Sequence, residues 1–452
     1  MLIIFCNNNY KKEREYICSV LFKEFLGIEF EIIFQARKDW LITDRSKNTE
    51  ILLPDILFQT QPEDWLTEKT LPYRPLPIWD ISKYNIDCTV VHKNIPVIYG
   101  NIDNSKYHSP LDIFGSAFFM LTRYEEVVNK DKNIDGRFPA TASISFQEGF
   151  LDRPIINEYV EILFNLINKF CPNLKRKKHF FRILPSHDVD IPFNLYFLKP
   201  SQLLRKLGAD LILRKNLQLA LQNLINYFKV KRDPSLDPYN TFDSIMDLSE
   251  KYNLKSAFYF MGGRGTRFDP LYYPLDHPAV ITIIKKICHR GHEIGFHPSY
   301  ASAIRMDIWN QEYGNLSAVV PWNNITGGRQ HFLRTHVPVT WRFWDINGLK
   351  YDSSLGYAEH SGFRCGICYE YTLFDLIKKE QLSIKERPLI AMDCSVIDKR
   401  FMNLGPTHKA FDYMNTLKSR CKMFNGDFTI LWHNDRFRNN DEIRIYEQLL
   451  SQ

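Results

Sequence analysis

Three side chains that can bind a metal ion or transfer a proton stand at the end of an apolar run at residues 181–190. The run begins Phe-Arg-Ile-Leu-Pro, and the three groups are His187, Asp188 and Asp190. Such a run predicts a buried strand, and α/β barrels build active sites from polar groups at the carboxyl ends of core strands. These residue types therefore indicate metal-assisted or general acid–base chemistry. The structural alternative is an Asp-rich turn that caps the next helix.

Later segments repeat this pattern of a short strand that leads to polar side chains. The predicted strands are residues 291–297, 331–335, 389–396 and 428–431, and their polar groups are His297, His331 with Arg329 before it, Asp393 and His433. Residues 241–251 and 278–290, which lie between strands, have the apolar spacing of helices. This alternation predicts a (β/α) barrel, closed or nearly so, over residues 176–452.

Residues 1–175 are predicted to form a separate and smaller α/β domain. Its strand candidates are residues 2–6, 29–34 and 51–59, and its helix candidates are residues 13–25, 110–127 and 155–168. The basic run Lys-Arg-Lys-Lys at residues 175–178 is typical of a solvated boundary. This part of the sequence contains no cluster of catalytic type, so we assign it no role.

A Leu-rich segment at about residues 193–236 interrupts the barrel pattern. Between residues 193 and 232, eight Lys or Arg residues accompany a single Asp. The leucines recur at helical spacing, which predicts amphipathic helices. One interpretation is a helical insertion that packs on the barrel with its charges in water. The alternative is a basic amphipathic element in peripheral contact with the inner face of a membrane.

Composition narrows the class of protein. A net charge of +6 on 452 residues is mild and does not indicate a nucleic-acid partner. No apolar run approaches about 18 residues, and the first residues lack the features of a secretory signal. Of the nine cysteines, only Cys365 and Cys368 have Cys-x-x-Cys spacing. We therefore expect reduced thiols and a cytoplasmic protein, and the oligomeric state is not predicted.

Four segments resemble, in type and order, the motifs of the NodB-type polysaccharide deacetylases, which are carbohydrate esterases. They are Ser-His-Asp-Val-Asp at residues 186–190, Gly-His-Glu-Ile-Gly-Phe-His at 291–297, Gly-Arg-Gln-His-Phe at 328–332 and Ile-Leu-Trp-His at 430–433. The resemblance covers about residues 180–435 and implies a distorted (β/α)7-type barrel with a divalent metal. Residues 348–374 are similar to a divergent bacterial subgroup with an additional N-terminal α/β domain.

The resemblance implies a catalytic role for four side chains. Asp188 matches the family's general base, and Arg329 matches the arginine that braces this base. His433 matches the general acid, and Asp393 lies where it would tune that histidine. This is a chemically sensible set, because a carboxylate can take a proton from water and a histidine can protonate the leaving group.

The metal ligands that the resemblance implies are Asp190 and His297. The expected ion is zinc, with cobalt and nickel as alternatives. Two positions depart from the family: Val189 stands where the family has its metal aspartate, and Ala301 stands where it has a second histidine. A third ligand must then come from His187 or His331, and the sequence does not choose between them.

The leading hypothesis is a metal-dependent hydrolase that removes an acetyl group from an acetylated sugar or polysaccharide precursor, and so acts on a non-peptide carbon–nitrogen bond. Trp322, Arg334 and Tyr300 are predicted to bind this carbohydrate. Because no export signal is recognised, a nucleotide-linked or lipid-linked precursor suits the hypothesis better than a mature wall polymer. The alternatives are a catalytically degenerate glycan-binding module and a hydrolase of another non-peptide carbon–nitrogen bond.

Overall fold

The protein is described by a computed structural model, which covers residues 1–44, 50–84, 89–102, 105–263, 266–269 and 273–451. The chain forms two compact units. Unit 1 comprises Met1–Arg182, Leu333–Ala391 and Asn415–Phe428, and unit 2 comprises Ile183–Phe332, Met392–Met414 and Thr429–Gln452. These units differ from the two consecutive domains predicted with a division at residue 175, because two later segments belong with the N-terminal part.

The secondary-structure elements alternate along most of the chain. The strands are β1 Leu2–Cys6, β2 Phe30–Phe34, β3 Asp39–Asp44, β4 Glu50–Pro54, β5 Ile78–Asp80, β6 Asn94–Pro96, β7 Arg182–Val189, β8 Ala257–Met261, β9 Glu293–His297, β10 Gly327–Gly328, β11 Tyr351–Asp352, β12 Tyr371–Asp375, β13 Glu380–Glu386, β14 Ala391–Met392 and β15 Asp427–Leu431. The α-helices are α1 Lys11–Cys18, α2 Ile113–Leu121, α3 Tyr124–Val128, α4 Ile144–Gln147, α5 Ile155–Phe170, α6 Pro200–Ile212, α7 Leu217–Arg232, α8 Phe242–Lys251, α9 Pro278–His289, α10 Met306–Ser317, α11 Val339–Ile346, α12 Asp393–Ile397, α13 His408–Met423 and α14 Asn440–Leu450.

Unit 1 contains a four-stranded sheet in the order β2-β1-β3-β4, in which only the β1–β2 pair is parallel. Aromatic side chains join the early and late segments of this unit. The rings of Tyr16 and Phe374 lie 4.8 Å apart, and Phe374 also meets Phe118 at 5.6 Å. A buried ion pair between Arg364 and Glu126, at 2.6 Å, adds a polar link. Burial of these groups is why residues 333–391 pack with the N-terminal part.

Unit 2 is organised around a run of neighbouring strands in the order β10-β9-β8-β7-β15. The pairs β7–β8, β8–β9 and β9–β10 are parallel. Helix α8 lies between β7 and β8 in sequence, and α9 lies between β8 and β9, as parallel crossovers require. All five residues of β8 are buried, which is typical of a central parallel strand. The fold is therefore α/β with a mostly parallel sheet, and closure into a barrel stays a prediction.

Two of the predicted strands are wrong in their type. The segment predicted as a strand at residues 331–335 begins with a 3₁₀ turn, His331–Leu333, in which Phe332 has a φ of 62°. The segment predicted at residues 389–396 is extended only at Ala391–Met392, and Asp393 begins helix α12. The strands near these segments, β10 and β14, last two residues each, which is too short for sequence periodicity to detect. The polar groups His331 and Asp393 lie on the helical turns that follow them.

The insertion at residues 193–236 is helical, as predicted. Helices α6 and α7 form a hairpin, and the side chain of Asn223 on α7 donates a 2.8 Å hydrogen bond to buried Asp210 on α6. The carboxylate of Asp237 accepts hydrogen bonds of 2.7–3.0 Å from the backbone amides of residues 194–196, which fixes the base of the hairpin. Among the described helices, none has the length and apolar character needed to cross a bilayer.

Candidate metal and acid–base site

Neighbouring strands of unit 2 bring four of the predicted groups to one edge of the sheet. Asp188 is the penultimate residue of β7, and Asp190 follows the end of this strand. His297 is the last residue of β9, and Arg329 comes directly after β10. Because β7, β8, β9 and β10 run parallel, the carboxyl ends of these strands lie at the same edge. The sheet order thus explains why residues more than a hundred positions apart meet.

Asp190, His297 and His331 form a group that could hold a metal ion, with all three ligand atoms within 4.8 Å of one another. The Nε2 atom of His297 lies 3.2 Å from Oδ1 of Asp190. The Nε2 atom of His331 lies 3.6 Å from the same oxygen. Two imidazole nitrogens and one carboxylate oxygen are a common open ligand set for zinc and similar divalent ions.

Hydrogen bonds at the Nδ1 atoms of His297 and His331 orient both imidazole rings of this group. Nδ1 of His297 donates to the backbone carbonyl of Arg329 at 2.6 Å, so its Nε2 faces Asp190. Nδ1 of His331 lies 2.9 Å from Oδ1 of Asp269. Asp269 is itself held by the backbone amides of Tyr300 and Thr266, at 2.7 and 2.6 Å. Supporting partners of this kind are typical of histidines that bind metals.

The polar atoms at the centre of the group test whether it fits a metal. Oδ1 of Asp190 and Nε2 of His297 are both inaccessible to solvent and have no hydrogen-bond partner of proper geometry. Burial would lower the pKa of His297, but Asp188 and Asp190 raise it above its usual value. Two buried polar atoms that face each other without a proper hydrogen bond need an explanation, and a shared ion supplies one. The residues present therefore fit a divalent cation.

His187 lies outside this group, although it is next to the candidate base. Its Nδ1 is 2.6 Å from the backbone carbonyl of Trp432, and its Nε2 is 3.2 Å from Oγ of Ser256 and 3.3 Å from the hydroxyl of Tyr446. Burial lowers the pKa of His187 to about 3. Both ring nitrogens of His187 are already engaged with core partners, and of the two histidines that the sequence left open only His331 lies in the candidate ligand group.

Asp188 lies between Arg329 and the candidate ligand group of Asp190, His297 and His331. Its Oδ1 accepts a 2.8 Å hydrogen bond from Nη1 of Arg329, and its Oδ2 lies 3.7 Å from Nε2 of His297. Arg329 is fully buried, and its guanidinium carbon lies 4.9 Å from the centre of the Tyr259 ring. A rigid charged partner fixes the carboxylate in one orientation, as a general base requires.

A glycine permits the close strand contact that places Arg329. A Cβ atom on Gly328 would lie 1.9 Å from the carbonyl oxygen of Phe296 on β9. Any side chain at this position would therefore push β10 away from β9. The adjacent amide of Arg329 donates to the same Phe296 oxygen at 3.0 Å, so the glycine allows the backbone bond that fixes the arginine.

His433 and Asp393 form a second charged pair in unit 2. Nδ1 of His433 lies 2.8 Å from Oδ1 of Asp393, and the backbone amide of His433 donates to Oδ2 at 2.7 Å. Burial alone would lower the pKa of His433, but the charge of Asp393 raises it to about 10. Burial would raise the pKa of Asp393, but His433 and Arg436 lower it to about 2. His433 is therefore protonated at neutral pH and has a proton to donate.

Asp393, Cys394 and His433 form a second group with metal-ligand spacing. Its chemistry does not suit an ion. The Nδ1 atom of His433 is already paired with Asp393. Burial raises the pKa of the Cys394 thiol well above its usual value, whereas metals bind the thiolate. The ion-pair interpretation therefore describes this group better than a metal centre.

Three of the predicted site residues share the wall of one cleft of about 650 Å³. These three groups are Asp188, Asp190 and His433. Most of the other lining residues are polar or charged, among them Asn434, Asp435, Arg436, Arg438 and Asn439, and Ile191 adds an apolar part. A cleft of this volume is of the size that binds small molecules. Its many hydrogen-bonding groups suit a ligand that is rich in hydroxyl groups.

The structure places the predicted substrate-binding residues in different settings. Trp322 is 83% exposed on a 3₁₀ turn, and Tyr300 stacks on Phe268 with ring centres 4.4 Å apart. Neither lines the cleft that holds Asp188 and His433. Arg334 is buried and belongs to unit 1. Their roles in substrate binding stay predictions.

Sequence reasoning missed Asp269 and Arg436. Asp269 supports His331, and Arg436 balances Asp393 at 3.4 Å while it also pairs with Asp398 and Glu442. Asp269 follows β8 at a distance in sequence, so no local pattern links it to His331. Arg436 comes three residues after His433 in the run His-Asn-Asp-Arg, and this density of polar groups after a core strand was a usable signal.

Known proteins match the chain only in part. Residues 2–172 match DUF7033, a family of unknown function. No curated protein matches the chain. A solved structure described as a polysaccharide deacetylase from Mycobacterium smegmatis aligns at 13% identity and a TM-score of 0.39, over 61% of this chain and 84% of that one. A TM-score below 0.5 does not establish a common fold, so the function has to be judged from the side chains of the site.

Proposed function

We propose that this protein is a metal-dependent hydrolase that removes an acetyl group from an acetylated carbohydrate. One observation carries the proposal: a braced carboxylate, a metal-ligand group and a protonated histidine occur together in unit 2, and all three contribute to the same cleft. Hydrolysis of an acetyl amide or ester needs activated water, a proton acceptor and a proton donor. Zinc is the ion we expect, with cobalt and nickel as alternatives.

Each side chain has a defined task in this reaction. A divalent ion held by Asp190, His297 and His331 would supply Lewis-acid polarisation of the acetyl carbonyl and activation of water. Asp188 accepts the proton of the attacking water, and Arg329 holds it in position and balances its charge. His433 donates its proton to the departing nitrogen or oxygen of the sugar. Asp393 keeps His433 charged until that transfer occurs.

The third ligand distinguishes this proposal from a degenerate binding module. Val189 and Ala301 stand where the resembled family has two metal ligands, and this difference is the reason for considering a binding module that does not catalyse. Asp190 and His331 provide a carboxylate and an imidazole at the same centre as His297, because Oδ1 of Asp190 lies 3.2 Å from Nε2 of His297 and 3.6 Å from Nε2 of His331. Three protein ligands are enough for a catalytic site with an open position. This compensation favours an enzyme over a module.

Acetate release tests the proposed reaction. The zinc-loaded full chain would be incubated with N-acetylated and O-acetylated amino-sugar oligosaccharides and with small non-sugar amides. We expect acetate from at least one carbohydrate and none after treatment with a chelator. Release from non-sugar amides alone would favour the hydrolase of another carbon–nitrogen bond. Glycan binding without release from any compound would favour the binding module.

Asp393→Asn should make catalysis sensitive to pH. Without the aspartate charge, burial lowers the pKa of His433 and only the charges of Asp190 and Asp188 still raise it, so fewer imidazoles carry a proton to donate at pH 8. We expect kcat near pH 8 to fall by about a hundredfold. The ratio of variant to wild-type kcat should rise as the pH falls to about 5.5, because His433 regains its proton. A ratio that does not change with pH would remove His433 from the role of acid.

A further inference from the structure

The hairpin of α6 and α7 exposes an unusual amount of apolar surface. Its tip, between the two helices, carries Ile212 and Leu213 at 74% and 80% exposure. The flanking Leu211 and Leu217 are also exposed. Large apolar side chains that cluster at an exposed tip mark an interaction surface rather than ordinary surface variation. This surface plays no part in the catalytic proposal.

Helix α7 extends this apolar tip along one face. Leu217, Leu221, Ile225 and Phe228 are exposed and recur at spacings of four, four and three residues, which places them on one stripe. The opposite stripe is buried against α6 and the base of the insertion, where Asn223 bonds Asp210 and Tyr227 donates to the carbonyl of Leu198. Its members are Ala220, Asn223, Tyr227 and Val230. The helix is therefore apolar on the face that unit 2 leaves uncovered.

Basic side chains flank the apolar stripe. Lys215 lies at the tip beside Leu213, and Lys229 and Arg232 lie at the far end of α7 beside Phe228. All three are exposed. Within the described part of the chain, no acidic group lies within ion-pair distance of any of them. The cations of this face are thus available to an anionic partner, whereas Arg214 is already paired with Asp210.

We propose that this hairpin face docks on an anionic lipid bilayer. Exposed Leu, Ile and Phe side chains enter the boundary between headgroups and acyl chains, and the flanking cations bind lipid phosphates. Charge complementarity favours this occupant over a second copy of the chain, because a symmetric pairing would bring Lys215, Lys229 and Arg232 toward the same cations. The inference is independent of the proposed reaction, since no group of the hairpin face takes part in it.

The hairpin is built so that docking would not disturb the fold. The bond between Asn223 and Asp210 ties the two helices together, and Asp237 fixes the base of the insertion by three backbone hydrogen bonds. The exposed residues make no contribution to these links. Helix α6 begins at Pro200, ten residues after Asp190 in unit 2, so a docked hairpin would hold unit 2 at the membrane surface.

Vesicle co-sedimentation with the full chain tests the proposal. The probes are vesicles of phosphatidylcholine alone and vesicles with about one third phosphatidylglycerol. We expect binding to the anionic vesicles, weak or no binding to the neutral ones, and loss of binding at high salt. Ile212→Asp with Leu213→Asp should weaken binding at least tenfold. Lys215→Gln, Lys229→Gln and Arg232→Gln together should weaken it about a hundredfold, at about fivefold for each cation.

Matched variants elsewhere on the surface control for exposure and charge. Ile346→Asp with Ile377→Asp changes two exposed apolar residues of unit 1, at 63% and 56% exposure, and should leave binding unchanged. Lys285→Gln, Lys379→Gln and Lys399→Gln remove three exposed cations and should lower binding much less than the hairpin triple variant. Absence of binding by the wild-type chain would overturn the proposal. So would a dimer in light scattering that Ile212→Asp with Leu213→Asp converts to a monomer.

Discussion

Asp188→Asn is expected to lower kcat by about a hundredfold to ten-thousandfold, with little change in KM. The amide keeps the shape of the carboxylate but cannot accept the proton of the attacking water. In the proposed reaction Asp188 contacts the attacking water and not the sugar, so substrate affinity should be largely retained. The measurement is steady-state kinetics of acetate release by the zinc-loaded variant.

This substitution also leaves Arg329 buried beside a neutral partner, so a loss of stability must be separated from a loss of chemistry. Breaking a buried ion pair costs about 3–5 kcal/mol. Asp55→Asn is a matched control, because Arg14 and Asp55 form a fully buried pair at 2.8 Å, the distance of the Arg329–Asp188 pair. We expect both variants to melt at lower temperature and only Asp188→Asn to lose turnover. Unchanged turnover in Asp188→Asn would exclude it as the base.

His297→Ala should remove the metal as well as the activity. Of the two histidines proposed as ligands, His297 has the shorter contact to Asp190, and its loss leaves one imidazole and one carboxylate in the proposed site. Loss of a supporting partner typically weakens metal affinity tenfold to a hundredfold, so loss of a ligand should cost more than about a hundredfold. The measurement is zinc content after dialysis together with calorimetric titration of the metal-free protein.

His292→Ala is the matched control for this variant. His292 is also buried in unit 2, but it accepts a hydrogen bond from the amide of Ser256 and contacts Glu250, away from the metal group. We expect His292→Ala to keep one zinc per chain. The zinc affinity of Asp269→Asn should lie between those of His292→Ala and His297→Ala. We expect a tenfold to hundredfold loss, because this substitution weakens the hydrogen bond that supports His331. Full zinc content in His297→Ala would refute the ligand assignment.

The sequence indicated where polar groups would meet, because each of them follows a short apolar segment and parallel strands end at a common edge. The spatial neighbours Asp188, Asp190, His297 and Arg329 were found in this way. The helical character of the segments that begin at His331 and Asp393, which were predicted as strands, could not be recognised from the sequence. β10 and β14 last two residues each, and His331 and Asp393 sit on the helical turns that follow them.

Features of the site and fold that could not be predicted depend on contacts between residues far apart in sequence, which leave no local pattern. The choice of His331 over His187 depends on the core partners of His187, which come from distant segments. The support of His331 by Asp269 joins residues that lie 62 positions apart. The assignment of residues 333–391 to unit 1 depends on aromatic packing such as that of Tyr16 with Phe374. Periodicity reports which face is apolar but not what covers it.

The most direct test of the metal site is X-ray diffraction from zinc-soaked crystals of the full chain, recorded on both sides of the zinc absorption edge. We expect one anomalous peak that lies within bonding distance of Asp190, His297 and His331, at about 2.0–2.2 Å from each ligand atom. A peak at Asp393, Cys394 and His433 instead would contradict the assignment of those residues to an ion pair. The absence of any peak in unit 2 would contradict the proposal of a metal-dependent hydrolase.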